Sequence, residues 1–144
     1  MTVELITDGV HLHPALYRDV TRGVGAGRVA LVTDAMAAAG MADGDYVLGP
    51  LAVTVTDGVA RIAGTDTIAG STATMDHVFR HAVLTSGRPR DEALLTAVRQ
   101  TSATPTRALG LPAGGLATGA AADLVVLDDG LIVTDVLFRG TWLS

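Results

Sequence analysis

Two carboxylates and a histidine stand out by where they fall in the chain. Asp34 ends the apolar run Arg28-Val29-Ala30-Leu31-Val32-Thr33, after which Ala35-Met36-Ala37-Ala38-Ala39-Gly40 turns to small residues. Asp8 ends a similar phrase, Val3-Glu4-Leu5-Ile6-Thr7, and leads into Gly9-Val10-His11-Leu12-His13-Pro14. A carboxylate delivered to the mouth of a crevice suits proton transfer. The plainer role of an Asp in such a place is to cap the next helix, and for Asp8 to close the Gly9 turn. Taken alone, His11 is an ordinary polar loop residue, and His13 has no assignable role. His77 and His81 are four apart, a spacing that can ligate a metal on a helix. They lie opposite the apolar stripe Met75, Val78, Phe79, Ala82 and Val83, so a solvated face is the expectation for both.

These residues need elements to position them. A continuous apolar run bounded by turn signals suits a parallel strand covered on both faces. Asp34 then sits at a strand's C-terminal end, where ligands bind in parallel α/β architectures. Asp8 and Asp34 are separated by about the length of a strand, crossover helix and next strand, which makes them adjacent βα units. Pro14 suits the first turn of a helix through Ala15, Leu16, Tyr17, Val20 and Val24. The glycines of Gly23-Val24-Gly25-Ala26-Gly27-Arg28 close a helix and precede a strand, the reverse of a dinucleotide-binding fingerprint.

Beyond Gly40 the periodicity becomes two. Tyr46-Val47-Leu48, Leu51-Ala52-Val53-Thr54-Val55 and Val59-Ala60-Arg61 read as an antiparallel excursion turning at Gly49-Pro50 and Thr56-Asp57-Gly58. A helix follows with Ser71 as N-cap, and another starts near Asp91 with Ala93, Leu94, Ala97 and Val98 on its apolar face. Pro105 is expected to break that helix, leaving a last turn at Thr106–Leu111. Leu124–Leu127, Leu131–Val133, Val136–Phe138 and Thr141–Leu143 read as strands around turns at Asp128-Asp129-Gly130 and Arg139-Gly140. A boundary near Pro112 to Thr118 therefore separates two units, 1–111 with its hairpin insertion at about 45–62, and 112–144, whose strands belong to a second sheet.

Composition narrows the class. The chain has 144 residues, 49% hydrophobic and 17% charged, a globular balance. No stretch approaches the roughly 18 uninterrupted apolar residues that span a bilayer. The first residues lack a basic region followed by an apolar core, so they do not read as a secretory signal. With no cysteine there is neither a disulfide framework nor a thiolate metal site. Ten arginines, no lysine and fifteen acidic residues give a net charge of −5, which disfavours nucleic acid while leaving arginines able to hold a single phosphate. A complete βα barrel takes about 250 residues, so barrel units here would form only part of one.

Four segments in order, Asp8-Gly9-Val10-His11-Leu12-His13-Pro14, Leu31-Val32-Thr33-Asp34-Ala35-Met36-Ala37-Ala38-Ala39-Gly40, Ile68-Ala69-Gly70-Ser71 and Thr104-Pro105-Thr106-Arg107-Ala108-Leu109-Gly110, resemble the C-terminal portion of N-acetylglucosamine-6-phosphate deacetylases. These belong to the amidohydrolase superfamily, with which Gly115–Leu127 is also shared. The resemblance spans essentially the whole chain. It implies the last units of a metal-dependent hydrolase (βα)8 barrel, plus strands of a small β-sandwich subdomain, in a cytoplasmic enzyme of amino-sugar breakdown. It implies that Asp34 takes a proton from a metal-bound water and passes it to the leaving amine. Asp8, Gly9, Val10 and His11 match a substrate-binding segment whose histidine meets the sugar phosphate. Ile68, Ala69 and Gly70 match a loop lining the substrate, where main-chain groups are the contacts.

The divalent metal that the resemblance implies, zinc or iron, is held in the family by a Glu and two His upstream of anything present here. The phosphate-clamping Arg lent across a homodimer interface also lies upstream. The chain then reads as a fragment that needs the missing N-terminal half and is inactive alone. Alternatives are a non-catalytic module that self-associates through exposed barrel edges, and an amidohydrolase acting on another amide.

Overall fold

The computed structural model describes residues 1–112 and 114–143. Strands β1 (Val3–Leu5) and β2 (Val29–Leu31) pair in parallel, Val3 opposite Val29 and Leu5 opposite Leu31. All three β2 residues are buried, as a strand covered on both faces should be. Between them runs α1 (Pro14–Val24), with proline in its first turn and His13 as its N-cap. The His13 Nδ1 accepts from the Ala15 N–H at 3.2 Å, which gives this residue a structural role. The two strands, the helix that crosses between them and the helices that follow make the chain α/β.

The first core forms where α1 lies over the strands, from Tyr17, Val29, Leu31, Val78 and Ala82. Tyr17 is too polar to bury without a partner, and its hydroxyl donates to Gln100 Oε1 at 2.8 Å. Gln100 in turn donates from Nε2 to Thr21 Oγ1 at 3.2 Å, tying α1 to the helical stretch far along the chain.

Strands β3 (Gly44–Leu48), β4 (Leu51–Thr56) and β5 (Val59–Ile62) form an antiparallel sheet in that order. Alternation in β4 turns Val53 and Val55 inward, onto a second core with Met36, Ala38, Ala60 and Ala69. This is the excursion expected from the two-residue periodicity.

Helix α2 (Met75–Thr85) starts later than expected. Thr74 occupies its N-cap position, and the Ser71 hydroxyl is engaged elsewhere. Val78, Ala82 and Val83 are buried and Phe79 packs beside them, whereas Met75, the first residue of the helix, is exposed, contrary to expectation. Helix α3 (Arg90–Val98) begins after Pro89, with Asp91 and Glu92 complementing its N-terminal dipole. It buries Ala93, Thr96 and Ala97, and Val98 faces outward, contrary to expectation. Pro105 does not break the helical run. A π-helical stretch, Arg99–Ala103, shifts the hydrogen-bond register, so that Pro105 falls in the first turn of α4 (Thr104–Ala108), where its missing N–H leaves no bond unmade.

At the C-terminal end β6 (Leu124–Leu127), β7 (Val133–Phe138) and β8 (Thr141–Leu143) form a separate antiparallel sheet. The two strands expected over 131–138 are a single strand, because Leu131 turns its side chain into the core with Val83, Ala93 and Ala97 instead of pairing. Asp128 holds that turn, its Oδ1 accepting from the Ile132 N–H at 2.8 Å. Ala113 and Ser144, both inside the expected 112–144 unit, lie outside the described residues.

Candidate active site

Because β1 and β2 are parallel, the loops leaving them emerge at the same edge of the sheet. Asp8 lies in the first of these loops and Asp34 in the second. The chain passes that edge a third time at Gly70-Ser71, where Ser71 bridges to Ala35 in parallel.

Asp8 is the most enclosed acid there, its side chain only 3% exposed. Its Oδ1 accepts from the main-chain N–H of Val10 and of His11, both at 2.9 Å. Oδ2 accepts the Ser71 hydroxyl at 2.7 Å and stands 2.8 Å from His11 Nδ1. Burial alone would raise the carboxyl's pKa, but the His11 N–H, the Ser71 hydroxyl, the Val10 N–H and the His11 ring together hold it down at about 2. An ionised carboxylate can only accept, so the proton between the pair belongs on His11 Nδ1. That assigns Nε2 as the ring nitrogen left for a ligand. The turn-closing role of Asp8 and its role toward His11 are therefore both present in one side chain.

Helix α2 closes the site from behind. His77 Nε2 donates to the Asp8 main-chain oxygen at 3.1 Å, and the His77 and His81 rings stack with centroids 6.3 Å apart. A Cβ placed on Gly9 would come 3.2 Å from His81 Nε2, so the loop lies directly on that ring and needs glycine there. Burial lowers the His81 pKa, and the neighbouring His77 lowers it further, against opposing effects from Asp8 and the Thr7 backbone. The Nδ1 of His81 is buried without a partner among the described residues. The solvated face expected for His77 and His81 is thus corrected. The helix is packed on two sides, its apolar stripe on the core and its histidines on the β1–α1 loop.

Asp34 has a left-handed backbone, φ 53°, and an exposed side chain. Its main-chain oxygen accepts from the Ser71 N–H at 2.8 Å, and Met36 N–H donates to the Ser71 oxygen at 3.0 Å. Gly70 packs against the same loop. Ile68 lies further out, bridged to Arg61 at the hairpin, and is partly exposed. Ala69 is buried in the hairpin core and already donates its N–H to Ala60. The structure therefore brings Asp8 to His11 and Gly70 to Asp34, with Gly9 and Val10 in the exposed turn between Asp8 and His11 and Ile68 at the periphery. Ser71, which the sequence presents as a cap, is the residue that joins the two groups.

Among the described residues no group of three His, Cys, Asp or Glu side chains could hold a metal. A cleft of about 290 Å³ between α1 and the α2–α3 turn is lined by Tyr17, Arg18, Arg22, Arg88 and Glu92, and includes none of the residues above.

Residues 2–143 match the model of the amidohydrolase family, and the chain belongs to that family. Over 142 residues it is 42% identical to N-acetylglucosamine-6-phosphate deacetylase of Bos taurus, covering 97% of this chain and 32% of the relative. It is 39% identical over 144 residues to a putative N-acetylgalactosamine-6-phosphate deacetylase of Escherichia coli strain K12, covering 99% of this chain and 83% of that one. Among solved structures it resembles a mutant N-acetyl-D-glucosamine-6-phosphate deacetylase from Mycobacterium smegmatis in complex with N-acetyl-D-glucosamine-6-phosphate. The TM-score is 0.96 and the identity 63%, over 99% of this chain and 37% of that one. The chain spans about a third of the length of the vertebrate relatives it matches.

Proposed function

We propose that this chain is the C-terminal part of a cytoplasmic deacetylase that hydrolyses N-acetylglucosamine 6-phosphate to glucosamine 6-phosphate and acetate. The observation that carries the reading is the joining of two chemically different groups at one sheet edge: a buried Asp8 paired with the partly exposed His11, able to meet an anion, and an exposed carboxylate, Asp34, placed to exchange protons. His11 turns Nε2 toward the sugar phosphate, its ring held through Nδ1 by Asp8. Asp34 accepts a proton from the attacking water and returns it to the departing nitrogen. Gly70 forms the wall toward the sugar, with Ile68 at its outer rim and Ala69 behind it in the hairpin core.

The barrel, the small β-sandwich and the metal site belong to the same reading, as does the dimer. The donors among the described residues do not suffice for a metal, and the ligands for zinc or iron would come from upstream residues. The steps given above therefore rest on this chain's own side chains. The test is to supply the upstream part and measure acetate release on N-acetylglucosamine 6-phosphate, with the galactosamine epimer in parallel. Acetate released at the wild-type rate by Asp34→Asn would overturn the assignment.

A second reading, a non-catalytic module that self-associates, is favoured by the free edges of the two-stranded sheet and by exposed Leu16, Leu95 and Trp142. A monodisperse monomer in sedimentation counts against it.

A further inference from the structure

The two halves of the site meet at one side chain that neither the acid/base chemistry nor the phosphate contact uses. Ser71 is 2% exposed and lies 63 positions from Asp8 in the sequence. Its hydroxyl hydrogen goes to Asp8 Oδ2 at 2.7 Å, and the same oxygen accepts from the Ala73 N–H at 3.1 Å, which fixes its rotamer. Its main chain does separate work, with the N–H bonded to the Asp34 oxygen and the carbonyl to the Met36 N–H. Removing the hydroxyl would therefore leave the Asp34 loop bonded as before, free the Ala73 N–H and take a donor from Asp8.

We infer that Ser71 is a positioning residue for phosphate recognition, its hydroxyl orienting Asp8 Oδ2 so that Asp8 in turn fixes the His11 ring. The inference rests on the function proposed above and adds to it a residue that touches neither substrate nor metal. Two main-chain donors fix Oδ1, whereas among the described residues Oδ2 has only Ser71 and His11. Without the hydroxyl, the carboxylate plane is held from one side, and the imidazole that follows Oδ2 loses its fixed direction. A hydrogen bond to a charged group is among the stronger ones in a protein, so its loss should be readable in binding.

The experiment uses the complete enzyme, upstream part included, and compares Ser71→Ala with wild type on N-acetylglucosamine 6-phosphate and on unphosphorylated N-acetylglucosamine. Ser71→Ala is expected to raise KM for the phosphorylated sugar about tenfold while changing kcat by less than about twofold, and to leave KM for the unphosphorylated sugar alone. Ser71→Thr, which keeps the hydroxyl, should restore the phosphorylated KM. A merely structural role would impair both sugars alike. That result, or an unchanged KM for the phosphorylated sugar, overturns the inference while leaving the deacetylase reading intact. Should Ser71→Ala fail to fold, Ser71→Cys, a near-isosteric and weaker donor, is held to the same outcomes. A wild-type enzyme without activity on the phosphorylated sugar removes the functional reading, and this inference falls with it.

Discussion

Gly70 lies so close beneath Asp34 that a Cβ added to it would stand 3.0 Å from the Asp34 main-chain oxygen and 3.3 Å from Met36 Cβ. Its φ of 83° is also one that other residues adopt at a cost. Gly70→Ala is therefore expected to destabilise the chain by about 2 kcal/mol or more, from backbone strain and from forcing the loop away. Gly23, inside α1 with nothing within 4 Å of the place a Cβ would take, is the control. Gly23→Ala should stabilise by roughly 0.5–1 kcal/mol. Urea midpoints of the two variants check the contrast, and equal shifts would show that the close approach to Asp34 carries no energy.

The Asp8 carboxyl supplies a pH signature. Its pKa is about 2 when folded and 3.8 as the ordinary value, so the unfolded chain binds its proton more readily. The stability it gives is fully present above about pH 4 and is lost as pH falls toward 2, a difference of about 2 kcal/mol. Asp8→Asn should thus be less stable than wild type by about that amount at pH 7, with the gap narrowing between pH 4 and pH 2. Unfolding curves at pH 7, 4 and 2.5 measure it. A gap that does not change with pH would mean that the four donors recognise Asn equally well.

His81 acts at a higher pH. Its folded pKa lies below the ordinary 6.5, so protonation favours the unfolded state. Stability is complete above pH 6.5 and falls as pH drops through the lowered folded value. His77, Asp8 and the Thr7 backbone are the groups around it. His81→Gln, which cannot take the proton, should flatten the decline between pH 7 and 5.5. Thermal melts across that range, compared with wild type, decide whether this ring is the source.

What can be read in the sequence divides along the distance over which each residue finds its partners. The β2 run, Pro14 at the start of α1 and the β3–β5 excursion are set by neighbours within a few positions, and periodicity or turn chemistry exposes them. Ser71 reads as a cap because a serine before a helix usually is one, while its real partner, Asp8, lies 63 positions away. His77 and His81 are visible as a pair but read as solvated, since a helical wheel shows one apolar stripe and cannot show that a polar loop packs on the other side. Pro105 follows the same logic. A π-helical stretch is a packing outcome, and nothing local distinguishes it from a helix stopped by proline. Asp34 and the Asp8–His11 segment are legible as candidates from motif order, whereas their junction through Ser71 requires the fold.

Asp34 allows activity and stability to be separated in one residue. Its side chain is exposed and its φ is 53°, a left-handed conformation that Asn and Asp tolerate far better than Ala. Asp34→Asn keeps the size, the backbone preference and the main-chain bond to Ser71, and removes only the ability to exchange a proton. In the complete enzyme it should lower kcat for deacetylation by about 10²–10⁴-fold, the usual worth of a general acid/base, with an unfolding midpoint close to wild type. Asp34→Ala should be equally inactive and in addition less stable by roughly 1 kcal/mol, because alanine bears the left-handed strain. The pair of variants, assayed for acetate release and for urea unfolding, separates the proton-carrying role from the conformational one. Activity retained in Asp34→Asn would leave the exposed carboxylate without a chemical function, and stability lost equally in both variants would make it a structural acid.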